Sequence, residues 1–286
     1  MIVGVVGAGA WGTALAITAA RGGADVVLWS YDGGAKEFDG IAMPDSVRLT
    51  RDMSDLRGAD VWLVVTPAAY FRETVRAARD SYNGAPVIIC TKGAEYSTGS
   101  FMSEILRTEL PACNDFGVLS GPQFAAEVAA GVPTGSTLAG TPQARRCGAA
   151  ALNKLYISES DDVIGAEMCG IGKNAVALIC GYTSIKSGEN ERAMIFTRAW
   201  GEVVKIGMAL GAKEGTFLDL CGIGDLFLSA TSPTSRNFAA GMAIAEGRPI
   251  EGTVEGIFAL SGILSRAESL GIRTPVLSEM QHMLKL

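Results

Sequence analysis

Apolar residues in the first 160 positions come in short unbroken runs, separated by segments whose apolar positions recur at helical spacing. The runs Ile2 to Val6, Asp25 to Trp29, Val61 to Thr66, Pro86 to Thr91, Phe116 to Leu119 and Thr134 to Ala139 predict strands, with helices between most of them. A run such as Val61-Trp62-Leu63-Val64-Val65 shows no polar alternation, so both of its faces must be covered, as in a parallel sheet. After Asp161 the β-branched runs stop. Helical spacing then predicts helices over Gly165 to Cys180, Glu191 to Leu210, Thr234 to Glu246, Thr253 to Leu270 and Pro275 to Leu286, with Gly211, Gly247 and Gly271 as stops. The expected class is α/β: a Rossmann-type, doubly wound, mostly parallel sheet domain over residues 1–160, followed by an all-α domain over residues 161–286.

The first strand runs directly into Gly7-Ala8-Gly9-Ala10-Trp11-Gly12 and an alanine-rich helix from Thr13 to Ala20. Glycine at the first position permits a tight turn, at the second lets backbone approach a pyrophosphate, and at the third lets helix pack close to strand. Free N–H groups at the helix start then face the anion. Such a turn also occurs for packing alone, but here it stands between strand and helix, and the strand Asp25 to Trp29 completes a βαβ unit. A dinucleotide is the expected ligand.

In a doubly wound sheet the ligand lies beyond the carboxyl ends of the strands. Three further loops therefore matter: Thr66-Pro67, Thr91-Lys92-Gly93 and Ser120-Gly121-Pro122-Gln123-Phe124. Pro122 suits the first turn of a helix that Gly131 would end.

Composition narrows the class. A chain of 286 residues is long enough for two domains, and its net charge of −6 leaves no broad basic face for nucleic acid or an anionic membrane. Six cysteines without metal-ligand spacing read as reduced thiols, and no metal is expected. Met1 leads straight into the first strand, leaving no room for a secretory signal, and no apolar run reaches the ~20 residues of a membrane span. A cytoplasmic protein with a small-molecule substrate is expected.

Along Gly165 to Cys180, the stripe Ile164, Met168, Ile171, Ala175, Leu178 and Tyr182 should leave a polar far side. Instead the far side carries Cys169, Lys173, Val176 and Cys180, so the helix is apolar nearly all round and should be buried. Lys173, with Asn174 beside it, either snorkels to the surface or lines a cavity. In the second case its ammonium is tunable as an acid or base. Asp225 sits in a similarly apolar stretch, and Ser235-Arg236-Asn237 opens a helix where a guanidinium fork, an amide and free N–H groups suit a phosphate. His282, the only histidine, falls in the last helix and reads as solvated; Glu202, one turn after Arg198, reads as half of a helical ion pair.

Together these residues resemble the NAD(P)-dependent glycerol-3-phosphate dehydrogenases. The resemblance rests on GAGAWGTALA at Gly7 to Ala16, TKGAE at Thr91 to Glu95, SGPQFAAEVAAGVPT at Ser120 to Thr134, GKNAVAL at Gly172 to Leu178, TRAWGE at Thr197 to Glu202, GIGDL at Gly222 to Leu226, SRN at Ser235 to Asn237 and VEG at Val254 to Gly256. It implies hydride transfer between NAD or NADP and C2 of dihydroxyacetone phosphate. It assigns the general acid/base role to Lys173, with Lys92, Asn174 and Asp225 around the reacting oxygen, and the substrate to Lys92, Gly121, Gln123, Ser235, Arg236 and Asn237. The cofactor falls to Gly7, Gly9, Ala10, Trp11, Gly12, Tyr31, Lys92, Ala125, Arg236, Thr253 and Glu255. A homodimer is implied as well, and a place in glycerophospholipid precursor supply.

The chain departs from the family pattern at four places. Gln123 replaces a hydroxyl residue, Ala10 a serine, Tyr31 a basic residue, and the segment from Asp32 to Ser46 is shortened. Asp32, an acid near the end of the second strand, favours the ribose hydroxyl of NAD over the phosphate of NADP.

Overall fold

A computed structural model describes residues 1–34, 37–250, 252 and 254–284. The chain divides into two compact units: Met1–Lys92, Phe101–Leu119 and Gln123–Val163 form the first, and Gly93–Ser100, Ser120–Pro122 and Ile164–Leu286 the second.

The first unit carries β1 (Ile2–Val6), α1 (Ala10–Arg21), β2 (Asp25–Trp29), the two-residue strands β3 (Glu37–Phe38) and β4 (Ile41–Ala42), β5 (Val47–Thr50) and β6 (Val61–Val64). It continues through α2 (Ala68–Ala78), β7 (Val87–Ile89), α3 (Met102–Glu109), β8 (Phe116–Ser120), α4 (Ala125–Ala130), β9 (Gly135–Gly140), α5 (Pro142–Ala151) and β10 (Tyr156–Ser160). Eight strands form one sheet in the order β10-β9-β8-β7-β6-β1-β2-β5, while β3 and β4 make a separate antiparallel pair. The pairings of β1 with β2 and β6, of β2 with β5, of β6 with β7, of β7 with β8 and of β9 with β10 are all parallel. Chain order runs outward from β1 through β2 to β5, then returns to the other side of β1 at β6. The direction of winding therefore reverses beside β1, which places a crevice at the carboxyl ends of β1 and β6.

The central strands match their predicted positions, since β6 and β8 are buried at every residue. β5 and β10 lack a predicted counterpart. They are the sheet's two edges, and their polar residues, Arg48 and Thr50 in one and Ser158 and Ser160 in the other, hide the apolar signal that an interior strand shows. α4 is also shorter than Pro122 suggests: it starts at Ala125 after an extended Phe124 and ends at Gly131, whose φ of 82° suits glycine.

The second unit is helical: α6 (Val163–Lys186), α7 (Glu189–Ala209), α8 (Asp225–Thr231), α9 (Arg236–Glu246), α10 (Glu255–Ser269) and α11 (Pro275–Leu284). α6 outruns its predicted length at both ends. At 24 residues with a mean hydropathy of 1.4 over its most apolar window, it meets the length and composition of a membrane span, against the expectation that no run would. Its apolar window is 83% buried within the protein, as in a core helix. Glycines let backbones close on it: a Cβ on Gly181 would stand 2.0 Å from the Phe238 carbonyl oxygen.

Glu202 is not half of a helical ion pair. Its buried carboxylate accepts the backbone N–H groups of Val276 and Leu277, each at 2.9 Å, and so caps α11 from α7. The six cysteines are free thiols. Burial pushes Cys90 and Cys113 up and holds Cys180 at about 12, which keeps these sulfurs protonated and poor nucleophiles.

Candidate functional site

In the first unit the glycine turn has the geometry its spacing predicts. Gly7 has φ of 112°, and a Cβ there would lie 2.9 Å from the Val65 carbonyl oxygen. A Cβ on Gly12 would fall 1.8 Å from the carbonyl oxygen of Gly7, so only glycine lets α1 start so close to β1. A Cβ on Gly9 would meet nothing within 4 Å, so the backbone is open on this side. Gly9 gives α1 no side-chain cap, and the first turn carries no acid. The N–H groups at Ala10, Trp11 and Gly12 therefore suit a pyrophosphate, and a dinucleotide fits this cradle.

The other loops at this edge hold further polar groups. Thr91 Oγ1 donates to the Thr66 carbonyl oxygen at 2.6 Å, tying the loop after β7 to the loop after β6, next to half-buried Lys92. Thr66 Oγ1 and both amide atoms of Gln123 are buried without a hydrogen-bond partner, a cost that a ligand's polar groups would relieve. Ala125 is the first residue of α4. Tyr31, just past β2, is 90% exposed. Asp32 turns its carboxylate back on its own loop: Oδ1 accepts from Ser30 Oγ and from the Gly34 N–H. These bonds, the Ser30 one foremost, hold its carboxyl below the usual range.

In the second unit Lys173 does not snorkel. Its side chain is 12% exposed, and Nζ lies 3.3 Å from Asp225 Oδ1 and 3.0 Å from Ser229 Oγ. Ser229 Oγ in turn donates to Asp225 Oδ1 at 3.2 Å. The carboxylate offsets the cost of burying the ammonium, and the hydroxyl bridges the pair. Asp225 reaches this position because the chain kinks immediately before α8. Leu220–Gly224 is a π-type turn in which Gly222 has φ −89° and ψ −107°, and a Cβ on Gly222 would strike the Phe217 carbonyl oxygen at 2.2 Å.

Beside this triad runs a chain of amides. Asn237 Nδ2 donates to Asn174 Oδ1 at 2.8 Å, Asn174 Nδ2 donates to Glu255 Oε2 at 3.2 Å, and the Gly256 N–H donates to Asn237 Oδ1 at 2.8 Å. Asn174 on α6 is thus held by α9 and α10, and Asn237 on α9 by α6 and α10. Ser235 caps α9, its Oγ accepting the Phe238 N–H at 3.4 Å, and Arg236 follows as an exposed first helical residue. Gly121 is buried in the short segment that joins this unit. Thr253 lies outside the described residues.

The structure therefore brings Lys173 and Asp225 into one hydrogen-bond set and Asn174, Asn237 and Glu255 into a second, the two starting from consecutive residues of α6. Ser229, absent from the sequence-based candidates, joins the first. Its signal was a spacing of four from Asp225, which places both on one face of α8. In the other unit Gly7, Gly9, Ala10, Trp11, Gly12, Tyr31, Lys92, Gln123 and Ala125 share the carboxyl edge of the sheet.

Two family profiles match the chain. One describes the N-terminus of NAD-dependent glycerol-3-phosphate dehydrogenase and covers residues 2–146; the other describes its C-terminus and covers residues 162–285. A glycerol-3-phosphate dehydrogenase [NAD(P)+] of Parvibaculum lavamentivorans is 38% identical over 96% of this chain and 89% of its own length. The enzyme of the same name from Methylobacterium radiotolerans is 39% identical over the same shares. Among solved structures, the glycerol-3-phosphate dehydrogenase of Coxiella burnetii is 30% identical with a TM-score of 0.91, covering 99% of this chain and 94% of that one.

Proposed function

The chain belongs to the NAD-dependent glycerol-3-phosphate dehydrogenase family, an NAD(P)-dependent oxidoreductase group, and from that premise we propose that Lys173 is its general acid/base. The observation that carries this reading is the buried ammonium held 3.3 Å from Asp225 and 3.0 Å from Ser229. When bound, the reduced nicotinamide supplies a hydride to C2 of dihydroxyacetone phosphate. The ketone oxygen gains negative charge as that carbon is reduced, and Lys173 Nζ gives it a proton, producing the hydroxyl of glycerol 3-phosphate. Lys173 is left as a neutral amine that still reaches the Ser229 hydroxyl. In the reverse direction the same nitrogen takes the proton back.

The neighbouring groups fit this scheme. Asp225 favours the charged ammonium before transfer, and Ser229 fixes its direction. Asn174 and Lys92 would stand around the reacting oxygen. Arg236, with Asn237 and the capped start of α9, would take the phosphate; Asn237 brings only one N–H, because the other is donated to Asn174 Oδ1. Gln123 and Gly121 would lie along the substrate, and the orphaned amide of Gln123 supports a polar contact there. Glu255 and Thr253 would serve the cofactor. We place the dinucleotide domain at residues 1–160 and the substrate domain at 161–286, and expect a cytoplasmic homodimer that supplies phospholipid precursors.

The test is reduced-cofactor oxidation, followed by absorbance with NADH and with NADPH, on adding dihydroxyacetone phosphate or a keto acid. Turnover of the phosphorylated ketone alone is expected. Turnover of the keto acid alone would assign the amide and arginine groups to a different substrate.

A further inference from the structure

The end of β2 lies beside the end of β5, with Trp29 opposite Thr50, so the next residues, Ser30 and Arg51, leave the sheet side by side. The β2 side of this pair flanks the glycine turn. The Gly7 N–H donates to the Trp29 carbonyl oxygen at 2.9 Å, and a Cβ on Gly34 would lie 3.2 Å from Cβ of Ala8. The loop after β2 therefore folds against the turn that would hold the pyrophosphate. In folds of this kind the adenosine ribose lies there, and its 2′ oxygen meets an acid if it is a hydroxyl, or a nearby arginine if it carries phosphate.

Asp32 is the acid at this place, but its Oδ1 already accepts from Ser30 Oγ and the Gly34 N–H, which close the loop. Arg51 is the cation. It is exposed, its Nη2 donates to the backbone carbonyl of Asp32, and its Nε would be 2.9 Å from a Cβ on Gly33, whose φ is 96°. The guanidinium thus lies over a glycine that clears space for it. That hydrogen bond engages one of its five N–H donors, and its partner is a neutral carbonyl, while the Asp32 carboxylate nearby feels the guanidinium's charge only as the weakest of the effects on it. A free fork of donors suits a phosphate better than a hydroxyl. We propose that Arg51 reads the 2′ position of the adenosine ribose and binds the 2′-phosphate of NADP(H), so that use of that cofactor depends on this side chain.

Two measurements test this. The first needs no turnover: wild-type protein and Arg51→Ala are titrated with adenosine 2′,5′-bisphosphate and with adenosine 5′-monophosphate. Wild type should bind the bisphosphate about tenfold more tightly or better, with an advantage that shrinks as salt is raised, and Arg51→Ala should erase the difference. The second compares kcat/KM. Arg51→Ala should lose about tenfold or more with NADPH and less than about twofold with NADH, while Arg51→Lys keeps part of the NADPH activity. If wild type binds both nucleotides equally, the proposal is wrong. Equal losses with the two cofactors would also overturn it, since Arg51 would then only hold the loop through the Asp32 carbonyl. Neither outcome bears on the reaction assigned to Lys173.

Discussion

Replacing Asn237 by alanine removes both ends of one amide. Its Oδ1 holds the Gly256 N–H and its Nδ2 holds Asn174 Oδ1, each at 2.8 Å, and both partners are buried. The orientation of the amide is determined, because the reversed one would set its NH2 against the Gly256 N–H. Each orphaned buried partner costs about 1–3 kcal/mol. A water entering the small polar space would return part of that, so a loss of about 2–4 kcal/mol is expected. Asn237→Asp should also destabilise, since it keeps the acceptor for Gly256 but opposes an oxygen to Asn174 Oδ1. Urea unfolding of the protein without ligands gives the total, and amide hydrogen exchange at Gly256 localises it. A loss under about 0.5 kcal/mol, with Gly256 protection unchanged, would refute the reasoning.

Three further outcomes are expected. Glu202→Ala should cost about 2–4 kcal/mol in unfolding experiments, because two N–H groups at the start of α11 lose a charged acceptor, and Glu202→Gln should cost less; equal stability would remove the capping role. Glu109, bound first by Arg76 and also by Arg72, has its carboxyl held down from 4.5 to about 2. Its contribution to stability is then complete above pH 4.5 and disappears as pH falls toward 2, so the gap between wild type and Glu109→Gln should close over that window in acid titrations; a constant gap would contradict it. Gly12→Ala, whose new Cβ would meet the Gly7 carbonyl at 1.8 Å, should weaken NADH binding at least about tenfold in fluorescence titrations, and unchanged affinity would show that the turn does not hold the dinucleotide.

What the sequence revealed follows from how strongly each feature is tied to local pattern. Buried strands such as β1 and β6 and the turn Gly7 to Gly12 were legible because unbroken apolar runs and fixed glycine spacing seldom arise from anything but a buried sheet and a tight strand-to-helix turn. The edge strands β5 and β10 were not, because an edge tolerates polar residues. The burial of Lys173 was legible from the apolar surround of its helix, whereas its partners depend on the kink at Gly222, which no periodicity encodes. Glu202 misled for the same reason: its neighbour at four residues suggested a local pair, while the carboxylate serves backbone more than seventy residues away.

The most direct test of the account is single-turnover reduction of dihydroxyacetone phosphate by Lys173→Ala, with the affinity for reduced cofactor measured alongside. The account predicts a hydride-transfer rate lower by about 10²- to 10⁴-fold, with cofactor affinity within about twofold of wild type. A rate near that of wild type at unchanged affinity would mean that the proton comes from elsewhere, and the role assigned to the buried ammonium would fall.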